Sequence, residues 1–282
     1  MNAQHRPRLS LSFCLLLIGL LAAASTIACS SSSPSPDDTT AEAVAEEPEI
    51  EEPTAQEYFL QANEKLDERQ WEEAIALYEK VTAADPERWD AHMNRGIALT
   101  HSSEFRAATE AFAQSLEAGG DQESLVYFNL GNHYQERSLH EHAIDAYRSA
   151  MALRGEVDYE TLLNIGAAFT FLNAHDEARE TIERAIAIDP DDPRGHITLG
   201  LLEYSAGHYD VALNIYDELV AYHPNMATAH FNRGYVLQNM NEDAEALQAF
   251  STYIELAPNG PYVENAESSI SLLERRLEER SK

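Results

Sequence analysis

Five glycines set the frame for the chain. Gly96, Gly131, Gly166, Gly200 and Gly234 are spaced 35, 35, 34 and 34 residues apart. Two residues before them stand Asn94, Asn129, Asn164, Thr198 and Asn232. Twelve residues after each comes an alanine: Ala108, Ala143, Ala178, Ala212 and Ala246. Four further on are Phe112, Tyr147, Ile182, Tyr216 and Phe250, and Pro190, Pro224 and Pro258 close three of the units. Working back one period adds Ala62, Ala74, Tyr78 and Pro86, a sixth and more divergent unit. Within a unit, positions 4, 7, 8 and 11 share one helical face, and positions 20, 24 and 27 share a face of a second helix. Such a helix pair cannot cover its own apolar stripe, so the pairs must stack. Glycine inside a helix costs about 1 kcal/mol against alanine, so five at one position need a packing reason. The missing side chain lets the paired helix approach, and the alanine twelve residues on is expected to sit there.

A period of 34 with these residues resembles the tetratricopeptide repeat. The resemblance implies an all-α, right-handed superhelical solenoid of helix-turn-helix units. Six repeats are expected at 55–88, 89–123, 124–158, 159–192, 193–226 and 227–260, starting at Ala55, Trp89, Ser124, Tyr159, Pro193 and Ala227. Repeats 2 and 3 carry Gly120 and Gly155 instead of a closing proline. After the helix stop at Asn259-Gly260-Pro261, residues 261–282 are expected to form a capping helix. Val263, Ala266, Ile270, Leu273 and Leu277 give it an apolar stripe, opposite Glu264, Glu267, Glu274 and Glu278.

The resemblance also places positions 2, 5, 6, 9, 12 and 13 of the first helices on a concave surface. Asn94, Asn129, Asn164 and Asn232 would there form a ladder, each offering an acceptor and two donors to the backbone of an extended peptide. The competing reading is that these amides satisfy a neighbouring helix. Phe128, Leu163, Phe171, Tyr204, Phe231 and Tyr235 would receive side chains, although position 5 can equally be core between helices. A carboxylate clamp of the chaperone-binding kind needs Lys or Arg in the groove, and only Arg194 qualifies; Arg95 and Arg233 sit at position 7, toward packing.

The N-terminus reads as an address. Arg6 and Arg8 precede an apolar run from Leu9 to about Ala24, followed by Thr26-Ile27-Ala28-Cys29. This is the order of a secretory signal, and the run is short for a membrane span; an uncleaved anchor is the alternative. A small residue before a Cys that closes the run resembles the bacterial lipobox, with Thr26 where leucine is usual. That resemblance implies cleavage after residue 28 and lipidation of Cys29. Two or three acyl chains hold a protein on a membrane, where one is marginal. Ser30 after the Cys, rather than Asp, points to the outer membrane, facing the periplasm. Residues 30–54 hold five Ser, four Pro and eight acidic residues without Lys or Arg, too little apolar surface to offset ordering entropy. We read 29–54 as a lipidated Cys and a disordered acidic linker.

Composition narrows the function classes. With 49 Asp+Glu against 19 Lys+Arg, the formal charge is −30. That excludes a nucleic-acid binder working by phosphate neutralisation, and it favours a partner segment that is apolar with basic residues. Two Cys make neither a disulfide framework nor a Cys-rich zinc site. His92, His196 and His230 all fall at position 4, and equivalent positions in stacked repeats lie too far apart for one ion. We expect no metal, no cofactor and no catalytic constellation. The expected function is a membrane-anchored, non-catalytic scaffold for protein–protein interaction in a cell-envelope assembly. A lipobox followed by about six such repeats is similar to the pilotin lipoproteins of type IV pili, which implies a role in secretin assembly; a factor in outer-membrane protein assembly is the further alternative.

Overall fold

The computed structural model describes residues 52–281. The expected leader at 1–28, Cys29 and the linker as far as Glu51 lie outside the described residues. The chain is all-α. The first pair is α1 (Ala55–Asp67) and α2 (Trp71–Ala84), the second α3 (Trp89–His101) and α4 (Phe105–Glu117). A 3-10 turn at Gly120–Gln122 leads into α5 (Ser124–Glu136) and α6 (His140–Arg154). There follow α7 (Tyr159–Phe171) with α8 (His175–Ile188), α9 (Pro193–Ser205) with α10 (Tyr209–Tyr222), and α11 (Ala227–Met240) with α12 (Asp243–Leu256). The last helix is α13 (Val263–Arg280). Among the described residues no helix is long and apolar enough to cross a membrane.

Every first helix stops in the same way. Position 15 of each repeat has positive φ: Arg69, Ser103, Ser138, Asn173, Gly207 and Asn241. Its N–H donates to the carbonyl three residues back, and the next N–H reaches five back, as Arg69 to Leu66 and Gln70 to Lys65. This Schellman closure satisfies the orphan carbonyls and turns the chain into the second helix. Glycine occupies the position only once, which hid the motif in the sequence.

The repeat glycines face a different partner from the one expected. A Cβ on Gly131 would lie 2.5 Å from the Tyr147 ring, one on Gly166 2.5 Å from Ile182, one on Gly200 2.6 Å from Tyr216 and one on Gly234 2.8 Å from Phe250. The large side chain at position 24 therefore fills the space, not the alanine at position 20. Those alanines are fully buried nonetheless.

Neighbouring repeats meet mainly where the second helix of one packs on the first helix of the next, as α2 on α3 and α10 on α11, and their first helices also approach one another. α1 approaches α3, α3 approaches α5, α7 approaches α9, and α9 approaches α11, while no two second helices come into comparable contact. The stack closes on the first-helix side and opens on the other. The junction of α4 with α5, where the 3-10 turn intervenes, is the least packed of the links between repeats. Three other links are pinned by histidine. Nε2 of His92 and of His230 each lie 2.9 Å from the carbonyl oxygen of Pro86 and Pro224, and His196 lies 3.4 Å from that of Pro190. Repeats 3 and 4 begin without both the preceding proline and the histidine.

At the far end, Ala266, Ser269 and Leu273 of α13 are buried against α12. Asp243, buried at the start of α12, takes Arg276 at 3.0 Å and Arg280 at 2.9 Å. The apolar stripe of α13 was legible in its sequence; this ionic anchor was not.

Candidate functional site: the inner face of the first helices

The position-6 asparagines hang on a bond network between repeats. Asn63 Oδ1 accepts from the Tyr78 hydroxyl at 2.7 Å and from Asn94 Nδ2 at 3.1 Å. Two repeats later the same trio recurs: Asn132 Oδ1 accepts from Tyr147 at 2.7 Å and from Asn164 Nδ2 at 3.4 Å. Asn232 likewise reaches the Tyr216 hydroxyl. Burial raises the hydroxyl pKa of all three tyrosines well above the ordinary range. Asn94, Asn164 and Asn232 therefore each spend a hydrogen bond on the preceding repeat, as the neighbouring-helix reading held. Asn129 follows Phe112, which has no hydroxyl; its Nδ2 donates to the Leu125 carbonyl of its own helix at 2.9 Å and, at 3.7 Å, to Met93 Sδ of the preceding repeat. The alternation of Tyr with Phe or Ile at position 24 was the available signal, and it requires reading two repeats together.

Two of the expected side-chain receivers are core. Leu163 is 7% exposed and packs between α7 and α8. Phe231 is 6% exposed, stacked on Tyr262 with centroids 4.6 Å apart and edged by Phe250 and Tyr253. Position 5 of the last repeat is sealed by the segment entering the cap. Tyr235 is half-buried beside Phe231 and hydrogen-bonds toward Asn265 and Ser269 of α13. Phe128 is half-buried, 5.7 Å from the Tyr147 ring. Phe171, also half-buried, stacks on His140 at 4.8 Å, and burial lowers the pKa of that imidazole. Tyr204 lies 5.5 Å from the Tyr209 ring and accepts from Asn239 Nδ2 at 2.8 Å. Phe128, Asn129, Phe171 and Tyr204 thus remain half-buried, with surface to offer.

Arg194 cannot serve as a clamp. Its Nε and Nη2 lie 2.9 and 2.8 Å from Asp192 Oδ2, and Nη1 lies 3.3 Å from Glu160. Asp192, the N-cap of α9, is held below its ordinary pKa by that guanidinium. Arg95 bonds Gln114 within its own repeat, and Arg233 bonds Asp217 of the preceding one.

Two buried polar clusters escaped the sequence reading. His133 has Nδ1 2.8 Å from Thr100 Oγ1 and Nε2 3.0 Å from Thr109 Oγ1. Thr100 Oγ1 also donates to the Gly96 carbonyl, and Thr109 Oγ1 donates to the Phe105 carbonyl and accepts from Arg137. Burial, with Arg137 nearby, lowers the His133 pKa to about 4. Glu203, buried on α9, joins Arg179 of α8 to His208, 2.9 Å away. Burial pushes its carboxyl up, but the hydrogen bonds from Arg179 and His208 outweigh this and leave it below the ordinary range. Both clusters tie adjacent repeats together. Among the described residues no group of three or more His, Cys, Asp or Glu is placed to hold a metal.

Comparison with known proteins agrees with this architecture. Models described as tetratricopeptide repeat match residues 59–123 and 197–261, and residues 159–192, together more than half of the chain. The structure of PilW, a type IV pilus biogenesis factor, aligns with a TM-score of 0.64 at 18% identity, over 76% of this chain and 97% of that one. Pseudomonas aeruginosa PilF aligns with a TM-score of 0.57 at 19% identity, over 76% and 97%. A chain of the APC/C hetero-tetramer Cut9–Hcn1 gives 0.62 at 16% identity, over 78% of this chain and 43% of that one. At such identities the likeness is one of fold. The glycine frame, the stacked helix pairs and the matches over three stretches lead to one conclusion: the chain belongs to the tetratricopeptide repeat family.

Proposed function

We propose that this protein is a membrane-anchored, non-catalytic scaffold that holds a segment of a partner protein on the inner face of its first helices. The observation that carries the reading is the set Phe128, Asn129, Phe171 and Tyr204. Three half-buried aromatic rings and one half-buried amide, joined to the preceding repeat only by a long 3.7 Å contact with Met93 Sδ, keep accessible surface. The rings suit apolar side chains, and the Asn129 amide suits a peptide backbone group. The formal charge of −30 suits a segment that also carries basic residues. Lipidation of Cys29 at the outer membrane, facing the periplasm, rests on the order Arg6, Arg8, apolar run, Ala28, Cys29. A pilotin-like part in type IV pilus assembly is the second reading. It draws on the lipobox-then-repeats order and on the 97% of PilW and of PilF that this chain spans.

Mass spectrometry of the mature N-terminus tests the anchor: a diacylglyceryl-Cys29 is expected, and an unmodified Cys29 or a retained Met1 contradicts it. Pull-down from solubilised membranes, wild type beside Asn129→Ala/Phe171→Ala, tests the groove. A folded double variant that captures the same partner equally well removes the groove from the account.

A further inference from the structure

The second helices leave their own surface open, and it is not featureless. Position 30, at the C-terminal end of each second helix, carries an exposed large apolar residue in four successive repeats. Leu153 is 41% exposed, Ile188 50%, Tyr222 81% and Leu256 37%. In the middle of this row, beside Tyr222, lies a pocket of about 450 Å³, within the ~300–1,000 Å³ range of ordinary ligand pockets. Pro190, Pro193, Ile215 and Leu219 give it apolar walls, Asp191 and Glu218 bring two carboxylates, and His196 and His223 two imidazoles. Neither carboxylate makes a salt bridge or a side-chain hydrogen bond among the described residues.

We propose that this outer-edge pocket of repeat 5 is a docking site for a protein segment presenting an aliphatic-stemmed cation, Lys or Arg, next to an apolar residue. The apolar stem lies along Pro190 and the Tyr222 ring while the charged head meets Asp191 and Glu218. Three features favour a cation. The two carboxylates are unpaired. The pocket is built on the last two turns of α10, whose free carbonyl ends carry partial negative charge. The opposing helix end, the N-terminus of α9, is already capped by Asp192, which accepts from Arg194 N at 2.9 Å. Tyr222 offers a large, nearly uncovered ring, one of the residue types enriched among interface anchors. A second copy of this chain is a poor occupant, because two chains of formal charge −30 repel. The site is separate from the inner-face groove, and either can fail without the other.

The test is fluorescence anisotropy with the purified full chain and a labelled synthetic peptide of alternating leucine and lysine. A peptide with glutamate for lysine serves as competitor. Tyr222→Ala and, separately, Asp191→Asn/Glu218→Gln should each weaken binding roughly tenfold, the loss of one anchoring contact. Glu141→Gln/Asp145→Asn, which removes the same charge from exposed sites on α6, should leave it within about twofold. Because Tyr222 is so exposed, its variant should melt as wild type does. Pocket variants that bind like the α6 control overturn the proposal, as does competition by the glutamate peptide. Loss of binding in Asn129→Ala/Phe171→Ala with no loss in the pocket variants assigns the peptide to the groove and overturns it too.

Discussion

Single residues in this fold are judged by what the next repeat requires of them. At position 15 the backbone needs a left-handed residue, and Arg69, Ser103 and Ser138 supply it against their own preference. Each Schellman turn should therefore gain from Arg69→Gly, Ser103→Gly or Ser138→Gly, by roughly 0.5–1 kcal/mol apiece. Urea unfolding of the three single variants checks this, and a uniform loss of stability would contradict it. The packing glycines predict the opposite sign. Leucine at Gly166 or Gly200 must displace Ile182 or Tyr216, at about 1–3 kcal/mol by overpacking, which thermal melting would show as a lowered midpoint. His133 links stability to pH. Its folded pKa of about 4 lies below the 6.5 of an unperturbed histidine, so the unfolded chain binds the proton more readily. Its contribution is whole above pH 6.5 and is lost as pH falls toward 4, by ~3 kcal/mol in all. In His133→Phe that part of the acid sensitivity should vanish from denaturant titrations run across the interval.

Among elements, the cap depends most on a feature that periodicity does not display. Arg276 and Arg280 reach Asp243 from one face of α13, and Asp243 is buried. Removing both arginines strands a buried carboxylate, so Arg276→Ala/Arg280→Ala should cost ~3–5 kcal/mol locally. Asp243→Asn, which leaves no charge stranded, should cost less. Hydrogen exchange in α13 reads both; equal protection in the two variants would contradict the anchor. The contrast explains what the sequence could show. Helix starts at Ala55, Trp89, Ser124, Tyr159, Pro193 and Ala227 follow from residues recurring at fixed offsets, each offset fixed by packing inside one repeat. The α13 stripe is local in the same way. The Tyr78–Asn63–Asn94 and Tyr147–Asn132–Asn164 trios, the His–Pro clasps and the Asp243 anchor join residues from different units. A repeat register does not reveal such pairs unless neighbouring units are compared. Hence the sequence left two readings open for Asn94, Asn164 and Asn232, which are engaged in the structure, and for Phe231, which Tyr262 covers.

The described repeats draw their first helices together and leave their second helices apart, and the chain that carries them is strongly acidic. Its charge should act mainly on how fast a basic partner arrives. The association rate should fall steeply as salt rises past physiological strength, where the Debye length is ~8 Å, while dissociation changes little. Stopped-flow mixing at several salt concentrations separates the two; a salt effect confined to dissociation would contradict it. The central claim is that the inner face holds the partner. It is tested most directly by placing a photocrosslinking residue at position 129 or 171 of the full chain, with exposed Asp145 of α6 as the outer control, and irradiating the source cells. The account predicts the same crosslinked protein from positions 129 and 171 and none from 145. Crosslinks from 145 with none from either inner position would contradict it.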